Sequence, residues 1–283
     1  MNEPQPSPAK EAQPAGPAGA PSWTKLINIM IAQASFIAAL MFYLGVTYTD
    51  AYYGYYHLSP FDLGFGFAEF ALQSLNLLTF PVLVAVVVLL IAVALNARGS
   101  RRVLPDVVAR CHLVVVAAGL LLLILWWQWQ LLPQYRWAGP LLIGVGLLLG
   151  VVPRDDVAPS RGLWDTAVSI FAAGVFLFWA VTLVAGQLGD QHARNDGRHT
   201  NRRTALVVYS ARRLALFNPA LGVGSEDLGN AVHLRYRYTG LRLITARGGR
   251  YYALPIKWQA RTDPVYILRE SDNVRFEFMP GVK

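Results

Sequence analysis

Four stretches of this chain run for twenty residues or more almost without charge: Leu26–Thr47, Leu77–Asn96, Val107–Gln130 and Trp164–Leu188, broken only by Arg110 and Asp165 near the starts of the last two. A fifth, Trp137–Val152, has 16 residues. Hydrocarbon about 30 Å thick takes about 20 helical residues at about 1.5 Å each, so four of these predict spans outright and the fifth a short one. Composition agrees, since 15% charged residues falls well below the roughly 25% of soluble domains. The expected fold is an α-helical multi-pass membrane bundle over residues 23–189, with spans at 26–47, 77–96, 107–130, 137–152 and 164–188. A small all-β domain, an antiparallel sandwich or barrel, follows it.

Residues 1–22 are rich in Pro, Ala, Gly and Gln; they lack the apolar content that offsets ordering entropy and are expected to form a disordered tail. No short basic segment opens the chain, so the first span is read as retained rather than cleaved. The single cysteine, Cys111, excludes an intrachain disulfide framework.

Charge is unevenly spread. Residues 190–283 hold 16 Lys or Arg against 8 Asp or Glu, whereas residues 1–189 hold 9 of each. Within the expected bundle, Arg98, Arg101, Arg102, Arg110, Arg154 and Arg161 fall in alternate loops, and residues 48–76 contain no Lys or Arg. Basic loops stay cytoplasmic, so the N-terminus is expected inside and the C-terminal domain outside the cell membrane. The basic linker 190–203, with Arg194, Arg198, Arg202 and Arg203, opposes that placement.

The stretch "YTDAYYGYYHLSPFDLGFGFAEF" at 48–70 follows the first span. Tyrosines gather where bilayer meets water, and Trp126, Trp127, Trp129, Tyr135 and Trp137 fall at the same expected level, so segment 48–76 reads as an aromatic interfacial belt. Ser59 as N-cap and Pro60 at the first turn predict a short interfacial helix from there. Asp62, Glu69 and Gln73 on this segment are the candidates for a polar path or interface. Gly146 and Gly150 form a GxxxG pair suited to helix packing or self-association.

From Thr204 short apolar runs alternate with polar residues, as in strands. Gly248–Gly249 suits a two-residue hairpin, and Ser271–Asp272–Asn273 predicts another. Arg235 and Arg237 share a strand face and, with Arg242, are candidates for an anionic-partner surface. The arrangement "YRYTGLRLITARGGRYYALP", "VYILRE", "VRFEF" over the last 80 residues resembles the tails of multi-pass bacterial membrane proteins. That resemblance implies a membrane-plus-β-domain layout and assigns no activity or site residue.

The sequence contains no HExxH, GxSxG, GxxxxGK[ST], CxxC or EF-hand pattern, so no catalytic, cofactor-binding or metal-ligating residue is assigned. Three classes remain. The first is a structural, sensory or accessory envelope protein whose β-domain binds a protein, an anionic lipid or a wall polymer. The second is a channel or transporter subunit with a path near 48–76. The third is a lipid-modifying enzyme using Asp50, His57, Asp62 and Glu69 as acid and base. The bilayer is a partner in each, a homo-oligomer is compatible with all, and nucleic acid ranks last.

Overall fold

The computed structural model of the chain describes residues 23–78, 105–129, 135–151 and 163–281. The chain forms two compact units, residues 1–39 and 40–283. The described part of the first is the opening of helix α1 (Trp23–Gly54), whose Met30, Ile31, Phe36 and Ile37 are exposed. The second holds the rest of α1, then α2 (Phe67–Leu78), α3 (Pro105–Trp129), α4 (Ala138–Val151) and α5 (Leu163–Arg198). Strands β1 (Ala205–Ser210), β2 (Gly224–Asp227), β3 (Tyr236–Arg247), β4 (Arg250–Pro255), β5 (Tyr266–Arg269) and β6 (Val274–Met279) complete it.

The multi-pass bundle expected from hydropathy is not what these helices form. Among the described residues only α1 and α5 carry stretches long and apolar enough to cross a bilayer, Met30–Gly54 and Ala167–Arg198. The apolar runs of α3 and α4, His112–Gln128 and Ala138–Gly150, reach only about 25 and about 20 Å. The expected span 77–96 lies, apart from the end of α2, outside the described residues. α3, α4 and α5 approach one another closely at glycines, while Leu113, Val114, Leu121, Ile124 and Trp127 of α3 remain exposed. A side chain on Gly119 would strike Ile143, one on Gly146 would strike Val116, and one on Gly144 would strike Leu177 of α5. Gly146 and Gly150 therefore lie against α3, with His112 beside both.

Helix α1 ends in a paired C-terminal turn. The amide of Leu58 donates to the Tyr53 carbonyl at 3.1 Å and that of His57 to the Gly54 carbonyl at 3.0 Å, while His57 takes a left-handed φ of 58°. His57 Nε2, facing the Ala260 carbonyl at 2.9 Å, must donate to it. α2 starts later than Ser59 and Pro60 suggest. Residues 60–64 form turns, Gly64 has φ 75°, and the helix begins at Phe67. Its cap is Glu69, whose carboxylate accepts from the Gly66 amide at 2.9 Å, the acidic arm of a capping box.

Over its second half α1 runs in the same direction as α5. Tyr48 meets His192 and Tyr52 meets Asp196, both pairs separated by 144 residues. Their backbones nearly touch, since a Cβ on Gly189 would collide with the Tyr48 carbonyl. A Cβ on Gly45 would likewise collide with the Phe70 carbonyl of α2.

The C-terminal part is one antiparallel sheet in the order β5-β4-β3-β1-β6, with β2 also on β3. β3 changes partner along its length, pairing β2 over Tyr236–Thr239 and β4 from Leu241 onward. Gly240 sits at the change with φ 86°, its Cα facing the Gly222 carbonyl. The Gly248–Gly249 turn, with φ 56° and 68°, closes β3 onto β4 as expected of a two-residue hairpin. The hairpin expected around Ser271–Asn273 does not pair β5 with β6; they are opposite ends of the sheet. The sheet curls instead. Tyr251 of β4 and Phe276 of β6, three strand spacings or about 14 Å apart in a flat sheet, have ring centroids 4.1 Å apart. Leu206, Val208, Leu216, Val223, Tyr238 and Leu241 fill the interior of this barrel-like curl.

A Gly240→Ala variant should lose about 2–4 kcal/mol, because it meets both an unfavourable φ and the Gly222 carbonyl. Gly249→Ala, with open space around it, should lose about 1 kcal/mol. Thermal melts of the two variants check the difference.

Candidate functional site

The tyrosines of the aromatic stretch lie where the end of α1 meets α5 and the sheet. Tyr48, Tyr52 and Tyr56 recur every four residues and so share one face of α1 and the turn after it. His192 and Asp196 do the same on α5. The Tyr48 hydroxyl and His192 Nδ1 are 2.7 Å apart, and Tyr52 donates to Asp196 Oδ2 at 2.7 Å. Arg203, two residues before β1, enters from the strand side. Its Nη2 donates to the Tyr52 and Tyr56 hydroxyls at 2.8 Å each and lies 3.3 Å from Asp196 Oδ2. Tyr56 passes its own proton toward the Ala193 carbonyl at 2.9 Å. It is fully buried against Ala193, Leu254 and Trp258. Burial, partly offset by Arg203, pushes the Tyr56 hydroxyl up to about 12, so it stays a neutral donor.

A second tie joins α2 to β3. Glu69 receives two hydrogen bonds from Arg247 Nη1, at 2.9 and 2.7 Å, and Arg247 lies 3.8 Å over the Phe65 ring. Arg247 and the Gly66 amide hold the Glu69 carboxyl below the usual carboxylate range.

Two cavities flank the Asp196 carboxylate. One of about 310 Å³ is lined by Tyr48, Thr49, Tyr52, Tyr53, Gln73 and His192 on the helix side. The other, of about 340 Å³, lies where α5 gives way to β1 and is lined by Asn195, His199, Arg202, Arg203, Thr204 and Leu243. Asp196 borders both. Among the described residues no group of three His, Cys, Asp or Glu side chains is placed to hold a metal ion.

The residues singled out from sequence separate. Gln73 lines the first cavity, Glu69 is locked to Arg247, and Asp62 is exposed on the preceding turn. Asp50 is exposed and His57 is tied to Ala260, so Asp50, His57, Asp62 and Glu69 do not converge as an acid/base group. The arginines are committed differently from a free basic face. Arg235 grips Asp227 through two hydrogen bonds of 2.7 Å, holding that carboxyl down at about 2 with help from the Gly229 amide. Arg237 pairs with Glu226 at 3.2 Å, and Arg242 is buried at 8% exposure.

His192, Asp196 and Arg203 were not singled out, because residues 190–203 read as a basic linker. They instead continue α5 to Arg198 and then form a 3-10 turn, Thr200–Arg202. The spacing of His192 and Asp196, matched to that of Tyr48 and Tyr52, is the signal that could have paired them. No family model, curated protein or solved structure matches the chain, so its function rests on its own geometry.

Replacing Arg203 by Gln should cost about 2–4 kcal/mol, since partly buried Asp196 and two tyrosines lose a charged donor. Lys should not restore it, because one ammonium does not reproduce the fork over the Tyr56 ring; a Lys variant melting with wild type would refute the network's role. Glu69→Gln should cost about 0.5–1 kcal/mol at neutral pH. With its carboxyl pKa depressed by folding, the stabilisation is full above the unfolded value and fades as pH falls through the lower folded one. Wild type and variant should therefore converge in acid, as read from melts between neutral pH and about pH 3.

Proposed function

We propose that the protein is a membrane-anchored accessory module. In this reading the exposed apolar faces of α1 and α5 are covered by lipid of the cell membrane, and the β-domain at the C-terminal ends of the two helices is a non-catalytic binding head for a protein, an anionic lipid or an envelope polymer. The observation that carries it is the junction: Arg203, Asp196, Tyr52 and Tyr56 fix the sheet to the ends of the two helices that are apolar enough to cross a bilayer. Exposed Ile31, Phe36 and Ile37 on α1, and Ile170, Phe171 and Val175 on α5, form faces that lipid would cover. The hydroxyls of Tyr52 and Tyr56 and the Asp196 carboxylate are engaged with Arg203 and the Ala193 carbonyl, which suits holding rather than proton transfer.

The parallel course of α1 and α5 supports an extracytoplasmic head without any count of spans. Lys25 lies at the start of α1 and no Lys or Arg follows it over residues 48–76, so the end of α1 is the translocated one. α5 ends beside it. The opposing arginines have local uses, Arg194 pairing with Asp190 at 2.7 Å and Arg203 with Asp196.

A second reading, a passage or a small-ligand site near 48–76, is favoured by the cavity holding Gln73, Tyr48 and His192. In that case Gln73→Leu would alter flux in reconstituted vesicles, and Glu69, held by Arg247, would not set selectivity.

A cysteine for topology belongs at Ala231, which is exposed in the β2–β3 loop; Ser210 is buried at 1%. Ala231→Cys in a Cys111→Ser background should sediment with membranes after alkaline extraction. In intact cells it should react with a membrane-impermeant thiol reagent. Release by alkali would sink the anchoring, and protection from the reagent would reverse the placement.

A further inference from the structure

The cavity between α5 and β1 has an unusual balance of charge. Asp196 is its one carboxylate, and Asp196 Oδ2 is already engaged by Tyr52 and Arg203. Against it stand Arg202, Arg203 and His199. Arg203 meets that carboxylate at 3.3 Å, which leaves Arg202 as the second guanidinium of the cavity lining. Arg202 is exposed and makes no side-chain hydrogen bond or ion pair among the described residues. The Nε of Arg203 is buried and lacks a partner among them. His199 donates from Nδ1 to the Asn195 carbonyl at 2.9 Å, leaving Nε2 as its remaining polar atom. An exposed guanidinium without a carboxylate partner, as at Arg202, is a group with which an anion can pair.

We infer that this cavity binds a phosphate-bearing anion. Arg202, Arg203 and, from the helix end, His199 line one space. A phosphate, with three or more acceptor oxygens, can take hydrogen bonds from several such donors at once. Asn195 and Thr204 supply neutral polar groups at the rim. At about 340 Å³ the space also admits part of whatever carries the phosphate. Two sources offer this group, the headgroup of an anionic lipid and a free phosphorylated molecule. Only the lipid source rests on the membrane-anchored reading.

The test uses the full chain in phosphatidylcholine nanodiscs, titrated with inorganic phosphate in a calorimeter, and again in discs containing phosphatidylglycerol. Saturable phosphate binding is expected, weakened about tenfold by Arg202→Gln, partly restored by Arg202→Lys, and unchanged by Arg212→Gln on the β1–β2 loop. Arg202 and Arg212 are both exposed, so their variants keep the fold. Weaker apparent phosphate binding in the phosphatidylglycerol discs identifies a lipid headgroup as occupant, and equal binding in both identifies a free phosphorylated molecule. The inference is overturned if neither phosphate nor phosphatidylglycerol binds saturably, or if Arg202→Gln and Arg212→Gln weaken binding alike. Phosphate binding by protein that alkali strips from membranes would sink the anchoring and leave the site standing. Firm anchoring without anion binding would do the reverse.

Discussion

One guanidinium holds this molecule together. Arg203 stands where α5 has ended and β1 is about to begin, and its Nη2 reaches Tyr52 on α1, Tyr56 in the turn after α1 and Asp196 on α5. Removing such a charge from water is expensive, and the cost is met only when each donor finds an acceptor and the plane of the group finds a ring. At Arg203 the Nη2 meets three oxygens and the centre of the group lies 5.2 Å over Tyr56. Without it α2 would keep its tie to β3 through Glu69 and Arg247, but α1 and α5 would lose the charged group they share with the strand side and rely more on apolar contact at Tyr56, Leu254 and Trp258, which is adhesive but not directional.

The same economy of space recurs away from the charge. Gly45, Gly189 and Gly240 each face a backbone carbonyl where any side chain would intrude. The first two let α2 and α5 close on α1 from two sides, and the third lets β3 leave β2 for β4. The curled sheet then presents Ile244, Leu254 and Trp258 to the helix ends while Tyr251 and Phe276 close over the other side.

Much of the β-domain was legible in the sequence because its signals are local. The Gly248–Gly249 turn and the β-branched and aromatic content of β1 and β4 report on neighbouring residues only. The order of strands was not legible: the short link from β5 to β6 looks like any hairpin, and only the curl of the sheet explains why its two ends are linked across the opening. The five-span reading failed for a related reason. Hydropathy measures how apolar a segment is, not where its helix starts and stops, and the apolar helical runs of α3 and α4 end at His112–Gln128 and Ala138–Gly150. The tyrosines after the first span fit a water boundary by composition, yet their hydroxyls belong to His192, Asp196 and Arg203, some 140 residues on. Glu69 looked like a free acid because neither its capping of Gly66 nor its pairing with Arg247 is visible one residue at a time.

The contacts of Gly45 and Gly189 have a mechanical side. At Gly45 and at Tyr48, opposite Gly189, backbone approaches α1 from two faces with no side chain between to act as a cushion. Turning this part of the helix by one residue, about 100°, would swing Tyr48, Tyr52 and Tyr56 away from α5 and put bulk where the glycines are. The segment therefore resists twist while it can still tilt or shift as a stiff rod, and it behaves toward the sheet as a lever rather than an axle.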